Sequence, residues 1–260
     1  MLLGVDVGNT QTTIGMFERS ELEQHWRISS DPDRTADELA LIIQGLLSQV
    51  GLSFTRQITG VVISSVVPRM TQAMREMVER YFRFPAIIVE PGVKTGMPIL
   101  TDNPKEVGAD RIVNAVAAFE SYGGPCIVVD FGTATTFDAV SVKGEYLGGS
   151  IAPGVEISTN ALVNAGAQLR RVEYTPPRSV IGKTTVEAIQ SGVLYGFAGQ
   201  VDAIVERMAK ELGGKVEVVA TGGLAPVIMP ETVTIDHHEP WLTLQGLRII
   251  YDRNTASDDE

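Results

Sequence analysis

Asp6-Val-Gly-Asn-Thr10 and, half a chain later, Asp130-Phe-Gly-Thr-Ala134 decide how this sequence folds. Each is Asp-x-Gly followed by a small polar residue, and each lies between strand-like runs. Residues 2–6 and 12–17 flank the first; residues 127–129 and 137–142 flank the second. One Asp-x-Gly says little, because Asp and Gly are common in turns of every kind. Two of them, each at a strand–turn–strand junction with hydroxyls after the Gly, point to one plan used twice. Lobes built on that plan would set the turns facing each other across a cleft. Each turn would then offer backbone N–H groups, Thr hydroxyls and a carboxylate for Mg²⁺. Amide-rich turns bind phosphate without a basic side chain. The plainer alternative is a pair of ordinary β-turns with polar tips.

Working outward, a third strand is expected near residues 25–28. Thr35-Ala-Asp-Glu38 reads as a capping box, and Leu39, Ile42, Ile43, Leu46, Leu47 and Val50 follow at helical spacing. Residues 60–66 form a buried strand, Met70, Met74, Met77, Val78 and Tyr81 stripe a helix, and residues 86–89 form a further strand. This β-β-β-α-β-α-β order implies an α/β fold with a mixed sheet under helices. Gly123-Gly124-Pro125 is the best boundary, giving lobes 1–122 and 123–260. In the second, Val201, Ile204, Val205, Met208 and Leu212 mark a long helix, residues 216–220 a strand, and residues 247–251 a strand-like end.

The chain of 260 residues is 44% hydrophobic and 20% charged, ordinary for a globular protein with a sizeable core. Its net charge is −11, from 21 basic and 32 acidic residues, so a nucleic-acid backbone is not an expected partner. No apolar run reaches the roughly 18 residues of a membrane helix. The start, Met1-Leu-Leu-Gly-Val-Asp6, lacks a basic leader, and no signal peptide is expected. Cys126 is the single cysteine, which fits a reducing, cytoplasmic setting. The acidic end, Ser257-Asp-Asp-Glu260, is expected to fray.

Five motifs occur in an order that resembles the type III pantothenate kinases. They are Asp6-Val-Gly-Asn-Thr10, Gly108-Ala-Asp-Arg111, Asp130-Phe-Gly-Thr-Ala-Thr-Thr-Phe-Asp138, Gly148-Gly-Ser-Ile-Ala-Pro-Gly154 and Thr221-Gly-Gly223. The resemblance covers about residues 1–250 and implies duplicated ribonuclease H-like lobes, of the actin and sugar-kinase type, with an inter-lobe ATP cleft. It implies phosphorylation of pantothenate by Mg²⁺-ATP. By the same resemblance Asp6, Val7, Gly8, Asn9, Thr10, Gln11, Thr12 and Thr13, with Thr133, would bind ATP, Asp6 lying near the metal. Asp130 would hold a monovalent cation, potassium or ammonium. Neither phosphate turn contains Lys, so a borrowed cation is chemically sensible. Gly108, Ala109, Asp110, Arg111 and Thr185 would bind pantothenate. Asp110 would take the proton of the attacking hydroxyl, and Arg111 would pair with the anionic end of the substrate. A homodimer is implied too, its substrate pocket at the subunit interface and Thr185 reaching toward the other chain.

Other readings compete with these. Asp110-Arg111 alone would pass for a solvated pair on a helix. Gly182-Lys-Thr184 ends like a phosphate-binding P-loop, but Pro177 stands where the first Gly belongs and Pro176-Pro177 argues against a preceding strand. His237-His-Glu239 suggests a metal, yet neighbours in extended chain face opposite ways, and a polar loop is expected. Cys126 reads as a small core residue. Leu100-Thr-Asp102 departs from the family, many of whose members carry Tyr shortly before the Asn-Pro of this segment. Alternative functions are a kinase for another small hydroxy acid or sugar, or a non-catalytic actin-like regulator.

Overall fold

The computed structural model describes residues 1–54, 57–166 and 171–256, so the expectation for the Ser257–Glu260 tail lies outside the described residues. The chain forms two compact units. The first comprises Met1–Met97, Asp102–Ala117 and the chain from Thr243; the second comprises Pro98–Thr101 and Ala118–Leu242.

In the first unit β1 (Leu2–Val7), β2 (Gln11–Glu18) and β3 (Glu21–Ser29) make a meander, followed by α1 (Ala36–Gln49), β4 (Gly60–Ser65), α2 (Pro68–Tyr81) and β5 (Ile87–Ile88). The sheet order is β3-β2-β1-β4-β5, with β1 antiparallel to β2 and parallel to β4. Leu2, Leu3, Val5 and Val7 are all buried, as expected of a central strand covered on both faces. One cover is α1, whose Leu39, Ile43 and Leu47 meet Leu3, Val5 and Ile14 in one core. Each such side chain contributes roughly 1.5–3 kcal/mol. The capping box forms as read: the Glu38 amide donates to the Thr35 hydroxyl at 3.3 Å and the Thr35 amide to the Glu38 carboxylate at 2.8 Å.

The other cover corrects the reading of residues 247–251. They lie in a helix, α7 (Leu242–Thr255), not a strand. Leu244, Leu247 and Ile250 are buried at helical spacing, and that periodicity outweighs the strand preference of Ile249-Ile250. Leu244 and Leu247 reach over Gly4 of β1. Behind them lies α3 (Ala109–Tyr122), joined by a 2.7 Å hydrogen bond from the Thr243 hydroxyl to Asn114 Oδ1.

The second unit repeats the plan. Its strands are β6 (Cys126–Phe131), β7 (Ala134–Val140), β8 (Tyr146–Pro153), β9 (Glu217–Thr221) and β10 (His237–His238), with α4 (Val155–Ala165), α5 (Thr185–Leu212) and the short α6 (Ala225–Ile228). Its order, β8-β7-β6-β9-β10, matches that of the first sheet strand for strand. Ile127, Val129, Phe131 and Phe137 pack on Leu194, Ala198, Val201 and Val205 of α5. Asp138, fully buried, accepts the Tyr146 hydroxyl at 2.6 Å and the Thr136 hydroxyl at 3.2 Å, so this carboxylate ties β7 to β8. Backbone hydrogen bonds of 2.8 Å, Leu100 N–H to Tyr146 O and Tyr146 N–H to Pro98 O, add residues 98–101 to that edge.

His237-His238 corrects a second expectation. They are a strand, not a polar loop: β10 runs parallel to β9, and the His237 ring stacks on Tyr122 at 4.0 Å with Nε2 2.9 Å from Glu217. Cys126 is fully buried in β6. Thr184 caps α5, its hydroxyl accepting the Glu187 amide at 3.2 Å, so Gly182-Lys-Thr184 is a helix start and no P-loop.

Gly246 of α7 tests the packing of the first unit. A Cβ there would collide with the backbone carbonyl of Val113, whereas one at Gly45 of α1 would meet nothing within 4 Å. Gly45→Ala should therefore stabilise the protein by about 0.5–1 kcal/mol, the usual helical gain. Gly246→Ala should destabilise it by roughly 2 kcal/mol or more, since backbone must move. Urea denaturation of the two variants checks this reversal of sign.

Candidate active site

The first Asp-x-Gly turn joins β1 to β2. Asp6 and Val7 end β1, Gly8, Asn9 and Thr10 form the bend, and Gln11, Thr12 and Thr13 open β2. Asp6 pairs with Thr13 on one side and with Ser64 of β4 on the other. The Gly8 amide donates to Gln11 O at 3.0 Å and closes the bend. Ser30, just beyond β3, backs it. Its hydroxyl donates to Gly8 O at 2.6 Å, its amide donates to Thr10 O at 2.9 Å, and Thr12 Oγ1 lies 2.9 Å from Ser30 Oγ.

The same unit carries Gly108, Ala109, Asp110 and Arg111 at the start of α3. A Cβ on Gly108 would lie 3.6 Å from Val66, and the Val66 amide donates to Val7 O at 3.1 Å, so this segment adjoins the end of β1. Asp110 Oδ1 accepts the Arg111 amide at 2.8 Å. Burial raises the Asp110 carboxyl above the ordinary carboxylate range, outweighing that amide bond and the Arg111 charge, both of which favour the ion. A carboxylate held this way is a stronger base than one in water.

The second turn joins β6 to β7, with Asp130 pairing with Thr136 as Asp6 does with Thr13. Three motifs of the sequence converge here. A Cβ on Gly154 would overlap the Thr133 carbonyl and lie 2.7 Å from Gly132 O. A Cβ on Gly222, whose φ is +94°, would lie 2.6 Å from both Asp130 Oδ1 and the Phe131 amide nitrogen. The two glycines thus let backbone lie directly against the turn and against the Asp130 carboxylate. Thr185, the first residue of α5, lies elsewhere in this unit, on a groove of about 370 Å³ shared with Ser158, Leu162 and Phe197.

A family model described as type III pantothenate kinase matches residues 2–207. The chain belongs to the type III pantothenate kinase family. A type III pantothenate kinase of Streptomyces coelicolor is 60% identical over 263 residues, covering 98% of this chain and 99% of its own. The fold extends to distant structures. A protein described as a Baf family transcriptional activator from Campylobacter jejuni superposes with a TM-score of 0.63 at 16% identity, covering 97% of this chain and 98% of its own. A ROK hexokinase from Thermus thermophilus gives 0.50 at 13% identity, covering 96% and 97%. The architecture is accordingly the α/β fold of the sugar kinases.

In this type III pantothenate kinase chain, Asp6 to Thr13 and Gly108 to Arg111 fall in the first unit, while Asp130, Thr133 and Thr185 fall in the second. Ser30 was not legible as part of the site. A Ser-Ser pair between a strand and a Pro resembles any strand end, and only the folded hairpin brings it to Gly8.

The raised Asp110 titration makes a stability prediction with a definite sign. A carboxyl whose folded pKa exceeds its unfolded value costs stability when ionised. That cost is absent below the unfolded value and is fully present above the folded one. Asp110→Asn should therefore melt above the parent at pH 7.5, and the difference should vanish as the pH falls through 4. Thermal melts of both proteins across pH 3.5–8 check it; a variant less stable at neutral pH would contradict the assigned cause.

Proposed function

We propose that the protein transfers the γ-phosphoryl group of ATP to the primary hydroxyl of pantothenate, giving 4′-phosphopantothenate and ADP and so opening coenzyme A biosynthesis. The observation that carries this reading is full-length membership of the family together with Asp6, Asp110 and Asp130 at the ends of equivalent or adjoining elements. The hydroxyl oxygen bonds to the γ-phosphorus, the bond to the ADP oxygen breaks, and Asp110 takes the hydroxyl proton. Arg111 pairs with the pantothenate carboxylate, while Gly108, Ala109 and Thr185 line its pocket. Asp6 through Thr13 and Thr133 hold the ATP phosphates, with Asp6 near the accompanying Mg²⁺. Residues 1–122 and 123–260 would be the two copies of the plan in chain order, with the end of α3 counted in the second compact unit and the chain from Thr243 in the first.

A monovalent cation, potassium or ammonium, fits the chemistry at Asp130. Oxygen donors suit it, and the side of Asp130 Oδ1 that a Cβ would fill is left to the Gly222 backbone. Bound there, it would supply positive charge that no Lys of either turn provides. We further propose a cytoplasmic homodimer. Ile151 of β8, Ile157 and Leu162 of α4 and Val186 of α5 are 47–66% exposed, and these apolar side chains support pairing through the second unit. Among the described residues, no helix is long and apolar enough to cross a membrane.

A coupled ADP-release assay tests the reaction. ADP should appear only with pantothenate, and Asp110→Asn should lower kcat by about 10²–10⁴-fold while ATP still binds. Release that ignores pantothenate, or that answers to a sugar instead, would overturn the reading. Run in sodium-only buffer, the same assay should lose its signal, and restored potassium should return it; full activity without potassium or ammonium removes the cation. Sedimentation should give a dimer, and a monomer would rule out the shared pocket.

A further inference from the structure

The two phosphate turns share a plan but are not braced alike. Register makes the comparison exact to the residue: Val7 pairs with Thr12 as Phe131 pairs with Thr135, and Gln11 pairs with Ser29 as Ala134 pairs with Pro153. Ser30 and Gly154, the residues just beyond the outer strands, are therefore counterparts. Four residues, Gly8 to Gln11, lie between the first pair; three, Gly132 to Ala134, lie between the second. In the second unit the turn carbonyls lie in the space a Gly154 side chain would take. The longer first turn instead leaves room for the Ser30 side chain.

We infer that Ser30 is a positioning residue for the nucleotide, fixing the first turn so that the Asn9 amide faces the phosphates. The proton count supports a directed relay. A hydroxyl has one proton, and Ser30 gives its own to Gly8 O at 2.6 Å, so the 2.9 Å contact with Thr12 is a bond that Thr12 donates. Thr12 is fully buried, and this is how its hydroxyl is satisfied; the hydroxyl of its counterpart Thr135, equally buried, has no hydrogen-bond partner among the described residues. A trans peptide holds C=O and N–H antiparallel. Anchoring Gly8 O toward Ser30 therefore turns the Asn9 N–H away from it. The Ser30 amide restrains the turn a second time through Thr10 O at 2.9 Å. Without the hydroxyl, the Gly8–Asn9 peptide loses the anchor on its carbonyl, and part of its orientation must be re-ordered each time a nucleotide binds.

The inference rests on the proposed role of this turn in holding ATP, so the experiment separates the two. Ser30→Ala, Ser30→Thr and Gly8→Val enzymes are assayed for the KM of ATP and of pantothenate, and for the Kd of ADP. Ser30→Ala should raise the ATP KM and ADP Kd about fivefold, the worth of one net hydrogen bond. The pantothenate KM should stay within twofold, and Ser30→Thr, which keeps the hydroxyl, should restore nucleotide affinity. Two outcomes overturn the role of Ser30: unchanged nucleotide affinity in Ser30→Ala, or an equal loss for pantothenate, which would mean general loosening. If Gly8→Val also binds ADP normally, the turn is no nucleotide site and the underlying reading falls with it. If Gly8→Val alone is impaired, only the role of Ser30 fails.

Discussion

The parallel ladder between β1 and β4, with its counterpart between β6 and β9, is the constraint on which the rest depends. It places Asp6 beside Ser64 and Asp130 beside Thr221, on matching rungs near the strand ends. A carboxylate at that height stands beside the turn that follows its strand. One residue further back, it would sit among Val5 or Val129, both fully buried, where charge is costly. The ladder thus fixes the height of each carboxylate, and the turns that follow fix the direction of the donors.

The two units solve one problem with different materials. Around the second turn, crowding does the work: Gly154 and Gly222 admit backbone where any side chain would intrude. Around the first, a hydrogen-bonded hydroxyl does it. Contact between backbones is rigid and intolerant of substitution, while a hydroxyl brace is adjustable and worth about 1 kcal/mol. Duplication has preserved strand order and register without preserving the means of support.

Much of this was legible in the chain. The doubled Asp-x-Gly motif, the Thr35–Glu38 box and the apolar stripe behind it depend on short-range chemistry, and each formed as read except at Val50, which ends α1 as an exposed cap. The C-terminal helix was misread because Ile249-Ile250 favours a strand locally, while its true pattern appears only over Leu242 to Ile250. His237-His238 was misread for a related reason. Two residues cannot show a strand's alternation, and what holds them, β9, Glu217 and Tyr122, lies 16 to 115 residues away. Asp110 was visible through its motif, but its desolvation was not, since that depends on packing around the start of α3. Ser30 carried no signal at all: its role exists only where two strands and a turn meet.

Cys126 has a practical consequence. It lies in the middle of a core sheet with no exposed surface, and burial pushes its thiol up to about 12. At neutral pH the sulfur stays a protonated thiol, walled off from solvent. The native chain is therefore chemically silent toward maleimides and mild oxidants. A reporter dye can be attached through one cysteine introduced on the surface, with the wild-type sequence otherwise intact.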